Sequence, residues 1–193
     1  MESFCFLYPI PEIIDHEIKN NGWHKKGGIK EFRADYKEKI NKCIDIRYRK
    51  NNFLINYAIF NGHEISDVIK LKESDNLIEV GLNFKTHTTK QPNGKYPYPN
   101  EDFILNQIGD IKSIRIAGFH MWDCVQKLAK KAYERGLNVL VDEDLTEFFS
   151  GRISDPDFKF DEYPTYDPRK FGEQGFELFM KARKNRPWLW QDY

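Results

Sequence analysis

The sequence predicts an α/β domain with a mostly parallel sheet and helices on both faces, in three layers. Short apolar runs suited to buried strands occupy 3–10, 53–60 and 111–118, and a further run begins at 138. Charged helical patterns lie between them, and strands that alternate with helices in this way are typical of parallel βαβ units with right-handed crossovers. At 193 residues the chain fits one domain, with 150–193 as a wrapping segment that ends in a helix.

Local signals support each element in the first half of the chain. The first strand is expected to stop at Pro9 and Pro11, because proline cannot donate to a strand ladder. From 29 to 50 apolar residues recur at steps of three or four, which predicts an amphipathic helix. The run 76–84 is predicted to be an edge or extension strand. The stretch 85–99 contains three prolines and an Asn-Gly turn pair, which predicts a long loop.

The second half continues the alternation of helices and strands. Asn100 is a suitable N-cap for a short helix at 101–108, because its side chain can accept from a free backbone N–H. A second helix is predicted from about 121 to 135, with Gly136 as its C-cap. After the fifth strand, an amphipathic helix is predicted at 171–185.

Composition and charge exclude several classes of function. Lys plus Arg and Asp plus Glu each number 30, so the net charge is zero and no nucleic-acid partner is expected. No apolar run is long enough to predict a membrane span. The three cysteines, Cys5, Cys43 and Cys124, are unevenly spaced and cannot form a full disulfide set. Reduced thiols and a cytoplasmic location are therefore expected.

The stretch 114–149 has the sequence IRIAGFHMWDCVQKLAKKAYERGLNVLVDEDLTEFF. Together with the helix and strand before it, this stretch resembles the isochorismatase-like cysteine hydrolases. That family closes an apolar strand with Gly, places Cys-Val six residues later, and continues with an alanine-rich helix, a Gly and a second apolar strand. The matching positions here are Gly118, Cys124, Val125, Ala129, Ala132, Gly136, 139–141 and 144–146. The stretch 36–60 is similar to the family's first helix and second strand.

The resemblance implies cysteine-dependent hydrolysis of a small amide, imide or vinyl-ether-like substrate, without a cofactor. Cys124 would be the nucleophile, and its place in the first turn of a helix would lower its pKa. Lys90 or Lys85 would take the place of the family's lysine. The family's Asp after the first strand is absent, so Glu12 is the nearest carboxylate that could act as the base.

Three further residues near Cys124 are candidates for the site. His120 lies four residues before Cys124 and could act as a base in a Cys/His pair, or it could be a turn histidine bonded to backbone. Phe119 and Trp122 are candidate substrate-binding residues, and their bulk would narrow or fill a pocket at this turn.

A second hypothesis treats Cys124 as a core residue and the chain as a binding or oligomer-forming protein of the same fold. Cys124 falls on an apolar helical stripe with Val125 and Leu128, and free cysteine is among the most buried residue types. The apolar tail around Trp188 and Trp190 is expected to dock either on its own domain or on a second subunit, as in a homo-oligomer.

No metal site is predicted. Asp142 and Asp144 lie on the same side of the fifth strand, and two carboxylates could hold a cation, but they equally fit a polar strand end. The five histidines show no spacing typical of zinc ligands.

Overall fold

Five strands form one parallel sheet in the computed structural model of the chain, which describes residues 1–20, 28–147, 156–162, 177, 180–181 and 184–189. The strands are β1 (Glu2–Leu7), β2 (Leu54–Ile59), β3 (Asn76–Glu79), β4 (Ser113–Gly118) and β5 (Asn138–Thr146). Their spatial order is β3-β2-β1-β4-β5, and each pairs in parallel with its neighbours. The predicted α/β class with a parallel sheet is confirmed.

The burial of each strand follows from its place in the sheet. All residues of β1 and β2 except the first are buried, as expected for continuous apolar runs covered on both faces. β3 lies at one edge of the sheet, and Leu77 in it is 46% exposed. This strand is shorter than the run 76–84 that predicted it, because pairing with β2 ends at Glu79.

Two helical layers cover the sheet. The helices are α1 (Pro11–Asn20), α2 (Ile29–Cys43), α3 (Phe84–His87), α4 (Glu101–Ile108) and α5 (Gln126–Glu134). A π-helical turn and a 3₁₀ turn extend α2, and another π-helical turn precedes α5; they are Ile44–Tyr48, Arg49–Asn51 and Met121–Val125. α1 packs on α2, and α4 packs on α5, which contacts β4 and β5. In the described part of the chain, no helix is long and apolar enough to cross a membrane.

Two helices lie in stretches that the sequence did not assign to helix. Pro11 ends the run of the first strand as expected, but it is also the first residue of α1, where its fixed φ suits a helix start. α1 buries Ile13, Ile14 and Ile18 on one side. The short helix α3 lies at the start of the predicted loop, where the side chain of Asn83 accepts a hydrogen bond from the Thr86 N–H at 2.7 Å.

Much of the C-terminal prediction falls outside the described residues. This applies to most of the wrapping segment at 150–170, to most of the helix predicted at 171–185, and to Trp190. Trp188 and Leu189 are described, and they are only 6% and 1% exposed. The Val141 N–H of β5 donates to the Trp188 carbonyl at 2.8 Å, so this part of the tail docks on its own chain.

The carboxylates of Asp142 and Asp144 surround a buried arginine. Arg47 donates to both oxygens of Asp142 at 3.2 Å and to Asp144 at 2.9 Å, and its side chain is 1% exposed. It also donates to the backbone carbonyls of Lys159 and Phe160 at 3.0 Å. The two carboxylates therefore share one side of β5 as predicted, and they bind a guanidinium group that fixes 156–162 against the domain.

Removing this arginine leaves two buried carboxylates without their cation. We expect Arg47→Met to lower the free energy of unfolding by about 3–5 kcal/mol, because breaking a buried ion pair strands a desolvated charge. The matched control is Arg33→Met, because the Arg33–Asp15 pair is partly exposed at 23% and 30% and should be worth about 0–1 kcal/mol. Urea denaturation measures both. Equal losses in the two variants would contradict the structural role of Arg47.

Gly118 ends β4 directly beside Leu7, the last residue of β1. It has φ +119°, and a Cβ atom placed there would lie 2.1 Å from the Leu7 carbonyl oxygen. The Glu147 N–H in turn donates to the Gly118 carbonyl at 2.8 Å. Only glycine at position 118 allows the ends of β1, β4 and β5 to come so close together. The residues that follow these three strand ends therefore lie near one another.

We expect Gly118→Ala to cost at least about 3 kcal/mol of stability, because the added methyl group overlaps backbone that cannot move away. Gly136→Ala is the control: Gly136 also has positive φ (+78°), but nothing lies within 4 Å of the position that an added Cβ would take. Its cost should stay near 1–2 kcal/mol, roughly that of the left-handed backbone alone. Thermal unfolding compares the two, and a similar cost for both would contradict the close approach.

Candidate active site

A cavity of about 390 Å³ opens at the carboxyl ends of β1, β2 and β4. Tyr8, Phe60 and Phe119, the residues that follow these three strands, line it. From β1 the chain moves outward to β2 and β3 and then returns across the sheet to β4, so the order reverses next to β1. Ligands of open α/β sheets bind at such a reversal, which makes this cavity the candidate active site.

The structure brings four of the seven predicted site residues together at this cavity. They are Glu12, Phe119, His120 and Cys124. The other three do not line it. Lys85 and Lys90 are exposed on α3 and in the loop after it, and Trp122 is 49% exposed with the Arg186 guanidinium 5.2 Å from its ring centroid.

Cys124 is buried, and its thiol is not activated by the helix that carries it. Burial raises its pKa to about 12, and the nearby carboxylate of Asp123 raises it further, whereas Lys127 lowers it. The expectation of a lowered pKa was therefore wrong. Cys124 is the fourth residue of the turn that begins at Met121, and desolvation outweighs the helix dipole at that depth. Lys127 supplies little net charge, since it binds Asp123 at 2.6 Å.

His120, which lines the same cavity as Cys124, is paired with a carboxylate just after β5. The His120 Nδ1 atom lies 3.5 Å from Oε1 of Glu147, and the same oxygen accepts the Met121 N–H at 2.8 Å. The hydrogen bond to Glu147 raises the pKa of His120 although burial opposes this. Burial alone would raise the pKa of Glu147, but its bonds to His120 and to the Met121 N–H hold it below its usual value.

Glu12 lines the cavity from α1, in the place where a base was expected. Its carboxylate lies 3.4 Å from Nδ1 of His63, and its side chain is 52% exposed. The side chains of Glu12 and His120 are similarly exposed, at 52% and 45%, and each has a partner; His120 differs in that its partner Glu147 raises its pKa.

Sequence reasoning missed Tyr8 and His87. Tyr8 follows β1 directly with φ 57°, is 2% exposed, and stacks on Phe60 with ring centroids 4.4 Å apart. From the sequence, we expected a carboxylate near the end of the first strand and did not consider Tyr8. Its position directly after a central strand is the signal that could have identified it. His87 lines the cavity from α3, and its Nδ1 lies 2.8 Å from the Pro97 carbonyl oxygen.

Comparison with known structures finds a match of the whole fold. The crystal structure of the pyrazinamidase of Pyrococcus horikoshii in complex with zinc, an isochorismatase-like hydrolase, is similar with a TM-score of 0.50 at 13% identity. The match covers 97% of this chain and 96% of the pyrazinamidase chain. No protein-family model and no curated protein matches the sequence. At this identity the likeness shows the fold alone, and the chain has the isochorismatase-like α/β fold.

The zinc of that pyrazinamidase has no matching ligand set in the described residues of this chain. Across 1–20, 28–147 and the described parts of the C-terminal region, no three His, Cys, Asp or Glu side chains converge to hold a metal ion. His63 pairs with Glu12, and His87 approaches the Pro97 carbonyl. The described residues therefore do not fit a zinc ion.

Glu147→Gln should lower the pKa of His120, because a neutral amide no longer stabilises the imidazolium. In the native protein the raised pKa of His120 adds stability below its ordinary pKa, and this is lost as pH rises through the raised value. Glu147 adds stability that is lost as pH falls through its own lowered pKa. NMR titration of the His120 ring measures the change.

The control for this titration is Glu12→Gln. It removes a carboxylate from the same cavity but leaves the His120–Glu147 pair in place, so the pKa of His120 should not move. An unchanged His120 titration in Glu147→Gln would mean that the pair does not form in solution.

Proposed function

We propose that the chain is a hydrolase that uses Cys124 as a nucleophile on a small amide, imide or vinyl-ether-like substrate. The observation that carries the proposal is that Cys124 and His120 line one cavity at the reversal point of the sheet, with Glu147 bound to His120. A nucleophile, a base and a group that orients the base are the parts that acyl transfer through a cysteine needs.

Burial keeps the Cys124 thiol protonated at neutral pH, so its proton must leave as the sulfur attacks. The neutral His120 imidazole accepts that proton, and Glu147 stabilises the imidazolium that results. For an amide, the S–C bond forms, the C–N bond breaks, and His120 passes the proton to the leaving nitrogen. Water then attacks the thioester with His120 again as base, which releases the acid and restores the thiol.

In this mechanism His120 is the base. The resemblance to the isochorismatase-like hydrolases alone would give that role to Glu12. Glu12 lines the same cavity and is the second candidate for that role, although His63 already pairs with it. Lys85 and Lys90 are both exposed and neither lines the cavity, so the proposed mechanism does not use a lysine.

The proposal predicts a burst of p-nitrophenol from p-nitrophenyl acetate, as the ester acylates Cys124. The burst should disappear in Cys124→Ala and persist in Cys5→Ser and Cys43→Ser, since both of those cysteines are completely buried in the core. His120→Gln should slow acylation roughly 10²-fold or more through loss of the base. A full burst in Cys124→Ala would exclude Cys124 as the nucleophile.

The pH dependence of acylation tests the role of His120. Because the base must be neutral, the rate should rise with pH through the raised pKa of His120. Glu147→Gln should move this rise to lower pH, and Glu12→Gln should leave it in place. If Glu12→Gln shifts the profile and Glu147→Gln does not, the base is Glu12. If the native protein, with all three cysteines in place, gives no burst, the result would favour a binding protein of the same fold.

A further inference from the structure

Tyr8 occupies the point where the cavity meets Cys124. The two residues line the cavity together, and they also line a smaller space next to it. The Tyr8 side chain reaches this point because β1 ends at Leu7 and the backbone then turns with a positive φ of 57°. The ring is held by stacking on Phe60 and is only 2% exposed.

The hydroxyl of Tyr8 has no hydrogen-bond partner among the described residues. Two other buried tyrosines are paired: Tyr48 donates to Asp142, and Tyr57 accepts from Arg49 at 3.0 Å. Because Tyr8 lines the cavity, its hydroxyl is not fully enclosed by protein and is open to a partner that comes from the cavity. A ligand in the cavity can therefore supply the acceptor that the described residues do not.

The hydroxyl stays protonated under ordinary conditions. Burial raises the pKa of Tyr8 well above 10, and the nearby Cys124 and the carboxylates of Glu101 and Asp123 raise it further. Tyr8 is therefore a hydrogen-bond donor and not an anion.

The remaining walls indicate what the donor would meet. Phe60, Phe84 and Phe119 present aromatic rings, which favour a flat apolar group. The carboxylates that line the cavity are Glu12, which pairs with His63, and Glu17, and the imidazoles of His16, His87 and His120 line it as well. The aromatic rings and the Tyr8 donor thus favour a planar molecule that carries a hydrogen-bond acceptor.

We propose that Tyr8 is a catalytic residue whose hydroxyl donates a hydrogen bond to the carbonyl oxygen of a planar substrate. The inference rests on the proposed function, since the carbonyl carbon is the atom that Cys124 attacks. As the S–C bond forms, the carbonyl π electrons move to this oxygen, and the Tyr8 O–H stabilises the developing charge without transferring its proton.

A pair of probes tests the contact without relying on hydrolysis. Acetophenone carries a carbonyl oxygen, and ethylbenzene has nearly the same shape without it. NMR titration should show that Tyr8→Phe weakens acetophenone about tenfold and leaves ethylbenzene unchanged. Tyr57→Phe is the matched control and should change neither affinity, because Tyr57 is similarly buried but does not line the cavity.

Thermal unfolding of the same variants gives an independent readout. Tyr8→Phe should leave stability unchanged or raise it, since the lost hydroxyl has no partner among the described residues, whereas Tyr57→Phe should lower stability by breaking its bond with Arg49. Equal acetophenone affinity in the native protein and Tyr8→Phe, or no binding of either probe to the native protein, would overturn the proposal. A stability loss in Tyr8→Phe as large as in Tyr57→Phe would also overturn it.

The p-nitrophenyl acetate burst separates this inference from the proposed function. If no burst occurs but acetophenone binding depends on Tyr8, hydrolysis by Cys124 fails and the Tyr8 contact stands. If the burst depends on Cys124 but neither its rate nor acetophenone binding depends on Tyr8, the contact fails and the hydrolase stands.

Discussion

The close approach of β1 and β4 at Leu7 and Gly118 is the constraint on which the candidate site depends. A side chain at Gly118 would overlap the Leu7 carbonyl, and the Gly118 carbonyl accepts the Glu147 N–H at 2.8 Å. Three segments that are far apart in sequence therefore end together. The residues that come next, Tyr8, Phe119 with His120, and Glu147, are delivered to one place by backbone geometry before any side chain interacts with another.

Burial gives the residues of the site their chemical character. A desolvated thiol is a poor nucleophile by itself, and the raised pKa of Cys124 makes a neighbouring base necessary. In the proposed mechanism, His120 is that base, and its charge partner is Glu147 and not an exposed lysine. The same desolvation keeps Tyr8 neutral, so one physical effect sets the protonation states of both the proposed nucleophile and the proposed donor.

Much of the fold was predictable because its signals are local. The apolar runs of β1, β2 and β4, the Asn100 cap of α4 and the glycine after α5 each act over a few residues, and the structure confirms them. α1 was missed because Pro11 was interpreted only as the end of a strand, although proline also begins helices. The Arg47 cluster was not predictable, since its two carboxylates lie about 95 residues away along the chain.

The sequence by itself determined the order of the five strands and of α2, α4 and α5, the α/β fold class, and the placement of Cys124 and His120 beyond a central strand. Only the tertiary structure decided which distant groups join them. It placed Tyr8 at the cavity and Glu147 against His120, and it left Lys85 and Lys90 exposed outside the cavity lining. The reason is physical: local patterns fix periodicity and turns, whereas the direction in which a loop presents its side chains depends on long-range packing and on contacts such as that between Leu7 and Gly118.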